Sequence, residues 1–187
     1  MPRQQAILNA AWGAFATYGY RKTSMDDIAR GAGMSRPALY LHYRNKQDIF
    51  RSLAQSYYDQ SAQAIVAALN GSGSVGDVLG AAFAAQGGEV FETMLTSPHG
   101  MELLDATNAT ASDIARSGDA DLRAIYAQWL DRAAGSGKIR LVGPADELAG
   151  TLMAALKGIK MAGTDYATYQ KRIAVLAAMV GAGLEIR

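Results

Sequence analysis

Between Thr23 and Lys46 the chain reads TSMDDIARGAGMSRPALYLHYRNK, and the side chains in it that could do chemistry are hydrogen-bond donors spaced for a polyanion. Arg36 is the one long side chain in the first turn of a short helix able to give two hydrogen bonds to a guanine edge. Pro37 and Ala38 beside it offer apolar contact to a thymine methyl. Ser35, Tyr40 and His42 suit phosphate oxygens. Lys46 opens the next helix, where free amides and the dipole already favour a phosphate, and Thr23 and Ser24 mirror that arrangement from the other side. The expected DNA contacts are therefore Thr23, Ser24, Ser35, Arg36, Pro37, Ala38, Tyr40, His42 and Lys46.

Short capped helices must hold these groups in place. Ser24 followed three residues later by Asp27 has capping-box spacing, so a helix starts at Thr23 or Ser24 and turns Ile28 and Ala29 inward. Ala32-Gly33-Met34 ends it, because glycine enters the left-handed region at little steric cost. Ser35 can cap the next helix, and Pro37 is tolerated only in a first turn, so that helix begins at about Arg36 and ends near His42. Asn45 then caps a third. In such a helix-turn-helix the N-terminal residues of the second helix meet base edges while their neighbours clasp the backbone. Charge agrees: residues 1–51 hold eight Lys or Arg against three acids (8 − 3 = +5), and the remainder ten against fourteen (10 − 14 = −4). A basic head on an acidic body is what a polyanion selects.

The first fifty residues resemble the DNA-binding domain of the tetracycline-repressor (TetR) family of bacterial transcription regulators. The resemblance is carried by Ile7, Ala10, Ala11 and Phe15, then by Gly19, Tyr20, Thr23, Ser24, Ile28, Ala29, Ala32, Gly33, Ser35, Leu39, Tyr40, His42, Tyr43, Lys46 and Phe50, in the order and spacing that family uses. It covers roughly the first quarter of the chain. It implies an all-α protein with an N-terminal three-helix helix-turn-helix domain, residues 1–45, followed by a helical ligand-binding and dimerisation domain, residues 46–187. Beyond the head the family is similar only in being helical, so no ligand carries over.

The pattern downstream is helix after helix, about nine in all. After the three head helices the spacing predicts helices over 46–69, 75–95 with a kink at Gly87-Gly88, 101–116, 120–134, 144–162 and 165–185. Phe83, Phe91, Met94, Met101, Tyr126, Trp129 and Met153 are large and adaptable, with His99 and Asn108 as polar companions; Phe91, Met94, His99, Tyr126, Trp129 and Met153 are the expected ligand contacts, for a small apolar or amphipathic effector. Gly150, Ala154, Gly158 and Ala162 fall four apart on one helix and Ala174, Ala178 and Ala182 on the next. Stripes of small residues let helices approach closely. In the TetR family the last two helices commonly form a four-helix bundle across a two-fold axis, so Gly150, Ala154, Gly158, Ala174 and Ala178 are the expected homodimer contacts. Two heads about 34–36 Å apart would read both halves of a palindrome. The expectation is a homodimeric repressor released from a palindromic operator by a small molecule; a DNA-binding regulator or architectural protein answering to a protein partner is the alternative.

Other classes find little support. With no cysteine and two histidines, a thiolate metal site, a cysteine nucleophile and a His-rich metal centre have no residues to build them; no cofactor or metal is expected, and a reducing cytoplasm fits. Gly71-Ser72-Gly73-Ser74-Val75-Gly76 matches G-x-G-x-x-G but follows an alanine-rich helix where a strand is required, so it reads as an inter-helix loop. AILNAAWGAFATYG carries helical spacing into the turn motif and reads as helix one, not a signal sequence. The longest apolar run, 173–184, is short of the ~20 residues a membrane span needs.

Overall fold

Caps and breakers in the sequence mark out the architecture. The computed structural model describes residues 2–162 and 165–186, the side chains of Pro2 and Glu89 excepted. Among these residues there are nine helices: α1 (Pro2–Tyr18), α2 (Met25–Gly31), α3 (Arg36–Tyr40), α4 (Lys46–Leu69), α5 (Val75–Thr96), α6 (Gly100–Thr110), α7 (Ser112–Gly135), α8 (Ala145–Met161) and α9 (Tyr166–Leu184). Outside them an isolated antiparallel bridge joins Ile139 to Glu185.

The described chain falls into two compact units. The first holds the residues up to Tyr57 together with Val90–Arg116; the second holds Tyr58–Glu89 and the residues from Ser117 onward. Three helices, α4, α5 and α7, thus contribute residues to both. In α5 the change of unit coincides with the expected kink: Gly88 has φ 58° and ψ −174°, a conformation only glycine adopts without strain.

In the first unit α1, α2, α3 and the start of α4 close over Ile7, Leu8, Ala11, Phe15, Met25, Ile28, Ala29, Leu39, Tyr43, Ile49 and Phe50, and α6 completes this core with Leu103 and Ala106. Each large apolar side chain buried there is worth about 1.5–3 kcal/mol. Phe15, Tyr20 and Phe50 form a trio with ring centroids 5.0–5.7 Å apart. Arg51 ties α4 to the α6–α7 junction: Nη1 and Nη2 each donate to an Asp113 carboxylate oxygen at 2.7 Å, and Nη1 also donates to the Thr110 carbonyl at 2.7 Å.

One boundary differs from the sequence expectation. The break placed at 117–119 lies at Ala111, whose φ of −140° ends α6, and α7 runs unbroken through Ser117-Gly118-Asp119. Gly118 is there for packing: a Cβ on it would fall 2.2 Å from the Tyr58 ring, whose hydroxyl donates to Asp119 at 3.0 Å. The glycine that looked like a breaker makes room for an aromatic ring.

In the second unit Phe83 and Tyr126 pack at 5.9 Å between ring centroids. On α9, Ala177 and Gly181 are buried, and a Cβ on Gly181 would come within 2.6 Å of Gly76 on α5.

Candidate nucleic-acid interface

The α2–turn–α3 segment forms as its capping residues require. Ser24 accepts from the Asp27 amide at 3.2 Å and the Asp27 carboxylate accepts from the Ser24 amide at 2.9 Å, a complete capping box. The Ser24 hydrogen bonds, with the Arg30 charge as a smaller contribution, hold the Asp27 carboxyl below the usual carboxylate range. Gly33 takes φ +66° in the turn. Ser35 caps α3 by accepting from the Ala38 amide at 3.3 Å, and Pro37 lies in the first turn. Asn45 caps α4 through the Asp48 amide at 2.8 Å.

A helix of five residues exposes almost everything it carries. Leu39 alone is anchored in the core; Arg36, Pro37 and Tyr40 are exposed, Ala38 is half-buried, and His42 is exposed in the turn after α3. Leu41, in the same turn, is 86% exposed, the most exposed large apolar side chain described. Sequence reading passed over it because an apolar residue between Tyr40 and His42 carries no polar signal. At Arg36, Nη1 lies 3.3 Å from Asp26 Oδ2 and Nη2 lies 3.4 Å from the Tyr40 hydroxyl, with the guanidinium carbon 5.5 Å from the Tyr40 ring centroid.

Two expected contacts are turned to other work. Thr23 is 1% exposed, and its hydroxyl lies 2.7 Å from the Gly19 carbonyl and 3.2 Å from that of Ala14. That departs from the phosphate contact expected of it, because a buried hydroxyl already serving the α1–α2 turn has no free face for a duplex. Lys46 Nζ donates to the carbonyls of Tyr20, Arg21 and Thr23 at 2.7, 2.8 and 3.0 Å and sits 4.9 Å from the Tyr20 ring centroid. Burial pushes its pKa down and the Glu102 charge pushes it back up. As placed, all three of its N–H donors face carbonyls, so a phosphate would have to displace one.

Glu102 is a further member of this turn that the sequence did not reveal. Its Oε1 accepts from the Arg21 amide at 2.7 Å and its Oε2 lies 3.5 Å from His99 Nδ1. His99, expected at a ligand, lines an open pocket of about 310 Å³ with Thr17, Tyr18, Lys22 and Asp27.

The remaining expected ligand contacts divide between the units. Phe91 (buried) and Met94 (partly buried against the head core) belong to the first. Tyr126, Trp129 and Met153 belong to the second. There the Tyr126 hydroxyl donates to Gln86 Oε1 at 3.1 Å, Gln86 Nε2 lies 3.6 Å from Met153 Sδ, and Trp129 Nε1 donates to the Leu69 carbonyl at 3.0 Å. Gln86 joins two of the expected residues, and no local pattern marks it because a lone glutamine on a helix ordinarily faces water.

Of the small residues on the last two helices, Ala154, Gly158, Ala174 and Ala178 are exposed, as are Met161 (57%), Val175 (58%) and Met179 (69%). Gly150 is half-buried, and a Cβ on it would come 3.3 Å from the Arg123 guanidinium. Residues four apart drift by about 40° per step around a helix of 3.6 residues per turn. That drift accounts for Gly150 leaving the face that Gly158 occupies.

Two capped helices at a glycine turn, the second short and outward with an arginine at its first position, define a helix-turn-helix protein. Residues 7–53 match the family described as bacterial regulatory proteins, tetR family, so the helix-turn-helix head is similar to the DNA-binding part of that family. An HTH-type transcriptional repressor of Mycobacterium tuberculosis is 38% identical over 69 residues, 37% of this chain and 36% of that protein. The match spans little more than a third of the curated relatives, and an activator is among them. They are named as transcriptional regulators, not enzymes. The fold is shared over the whole length. A transcriptional regulator from Cytophaga hutchinsonii is similar with TM-score 0.79 at 21% identity, over 97% of this chain and 98% of that one. SmeT of Stenotrophomonas maltophilia, in complex with triclosan, is similar with TM-score 0.68 at 21% identity, over 100% and 93%. No described helix is long and apolar enough to cross a membrane.

Proposed function

We propose that this protein is a DNA-binding transcriptional regulator acting as a homodimeric repressor, released from a palindromic operator in the cytoplasm by a small molecule. The observation that carries the reading is Arg36: a long, exposed, two-pronged donor at the first position of a Ser35-capped helix, on a head with a charge balance of +5. Pro37, Ala38 and Leu41 supply apolar contact beside it, and Ser35, Tyr40 and His42 face the backbone phosphates. Residues 1–45 form the DNA-contacting part and 46–187 the part that dimerises and takes the effector.

The exposed small and apolar residues of α8 and α9 support the dimer, since Ala154, Gly158, Ala174, Ala178, Val175 and Met179 lie open to solvent on helices whose opposite faces are buried. A two-fold axis would pair each patch with its own copy. That a structural neighbour is a triclosan complex supports an apolar or amphipathic effector, for which Phe83, Gln86, Tyr126 and Met153 offer aromatic, amide and thioether groups within one unit. The effector releases DNA if it binds the DNA-incompetent spacing of the heads more tightly than the competent one, with α4 as the connecting lever.

The test is a mobility shift against inverted repeats near the gene. Specific complexes at moderate salt, absent with random duplex, are expected; equal binding to both sinks the reading. Release by compounds, abolished in Tyr126→Ala or Gln86→Ala, tests the effector.

A further inference from the structure

Arg36 is tethered on two sides before any duplex arrives. Asp26 approaches one terminal nitrogen at 3.3 Å and the Tyr40 hydroxyl the other at 3.4 Å, while the Tyr40 ring lies under the guanidinium. Both members of the ion pair are about half exposed, so the tether is a surface feature and not part of the core. A guanidinium has five N–H donors. Two tethers leave three, and a two-pronged contact to guanine needs two. The tethered arrangement is therefore compatible with base reading.

Asp26 is otherwise badly placed for a protein that grips phosphates. It lies in the first turn of α2, one residue from the Asp27 that completes the cap, within reach of Arg36. The cap is already supplied by Asp27; Asp26, in the same first turn, is favoured by the helix dipole and is also the carboxylate that faces Arg36. A carboxylate near a phosphate backbone is repelled unless a cation stays beside it.

We propose that Asp26 is a specificity-determining positioning residue for base reading by Arg36. On the correct base pair, Arg36 reads guanine with its free donors and remains beside Asp26, so the carboxylate is neutralised. On a wrong pair, Arg36 gains contact by swinging to a phosphate, and Asp26 is left facing the polyanion alone. The carboxylate thus penalises wrong sites more than the right one, which widens the ratio between them. This inference rests on the DNA-reading function proposed above.

The experiment uses the full-length protein and a duplex selected by it from a random pool. Dissociation constants for the selected duplex, for the same duplex with the guanine pair read by Arg36 replaced, and for random duplex are compared between the parent and Asp26→Asn. Random duplex is expected to bind Asp26→Asn more tightly, while the ratio of selected to replaced duplex falls about two- to fivefold, the scale of an exposed ion pair. In an Arg36→Ala background the same substitution should leave that ratio unchanged, which a purely structural role for Asp26 would not produce. An unaltered melting temperature confirms that the fold is intact; Asp26→Ser serves if Asn perturbs α2. If Asp26→Asn tightens all three duplexes by one common factor, Asp26 is only a background charge and the inference fails. A parent with no preference for any duplex overturns the DNA reading itself, and this inference with it.

Discussion

The α2–α3 surface and the outer faces of α8 and α9 expose opposite kinds of chemistry. On the head, apolar side chains such as Ile28 and Leu39 are fully buried and the exposed remainder is mostly polar, Ser24, Ser35, Arg36, Tyr40 and His42, with Pro37 and Leu41 as the apolar exceptions beside Arg36. On α8 and α9 the apolar residues are divided. Leu152, Leu156, Ile173 and Ala177 are buried, whereas Met161, Val175 and Met179 stay more than half exposed among exposed Ala154, Gly158, Ala174 and Ala178. The partner proposed for the first surface is suggested by residue type, and that proposed for the second by small residues at helical spacing and apolar side chains left uncovered. The lesson is that a polar ligand is read from side-chain identity, whereas an apolar partner is read from burial.

The largest predicted effect breaks the second surface. Ala178→Glu places a charge on an exposed position, so the monomer should keep its melting temperature while sedimentation shows loss of the dimer. Two linked heads gain from effective concentration, so affinity for an inverted repeat should drop about 10²- to 10⁴-fold. A variant that remains dimeric with full affinity would remove α9 from the proposed interface.

Arg36→Ala is next and strikes the first surface. Losing a two-pronged base contact should cost about 1–3 kcal/mol on the preferred duplex and little on random duplex, so the two affinities converge. Equal losses on every duplex, read by mobility shift, would make Arg36 a phosphate contact.

How much of this was legible in the sequence follows the same division. The helix-turn-helix could be read because its signals are local: Ser24 to Asp27, Gly33, Ser35 and Pro37 each act within four residues. The direction in which a polar group points was not legible. Thr23 and Lys46 share the chemistry of phosphate contacts, yet the three carbonyls around Lys46 come from residues 23 to 26 positions earlier, and no local pattern announces them. The role of α6 was hidden for the same reason: Leu103 in the head core and Glu102 on the Arg21 amide depend on the chain returning to the head after some fifty residues. Gly118 shows the converse error, since a residue that permits a turn also permits an aromatic ring to come close, and composition does not say which.

Thr23→Val sharpens the distinction between inner and outer polar groups. It keeps the volume but removes the hydroxyl that the Gly19 and Ala14 carbonyls share. The cost should be about 1 kcal/mol of unfolding free energy, measured by urea denaturation, because Gly19 still accepts from the Thr23 amide. The salt slope of DNA binding should not change. A flatter slope, with stability intact, would return Thr23 to the phosphate-contacting set.

Acid titration should give the smallest effect, and it tests whether the ion pair on α4 matters to the first unit. The Asp113 carboxyl is held well below its ordinary value of 3.8, first by the hydrogen bond from Arg51, and Asp27 is held below the same value by Ser24. A carboxyl with a lower pKa folded than unfolded stabilises fully above the unfolded value and loses that contribution as pH falls through it toward the folded one. Melting temperature should therefore be flat in these two groups from neutrality to about pH 5 and fall below about pH 4. Asp113 is exposed and Asp27 only partly buried, so the drop assignable to either is modest. Asp113→Asn should lower the neutral-pH melting temperature slightly and flatten its acid limb, whereas an unchanged limb would show that the Arg51 pair adds nothing beyond the hydrogen bond from Arg51 to the Thr110 carbonyl.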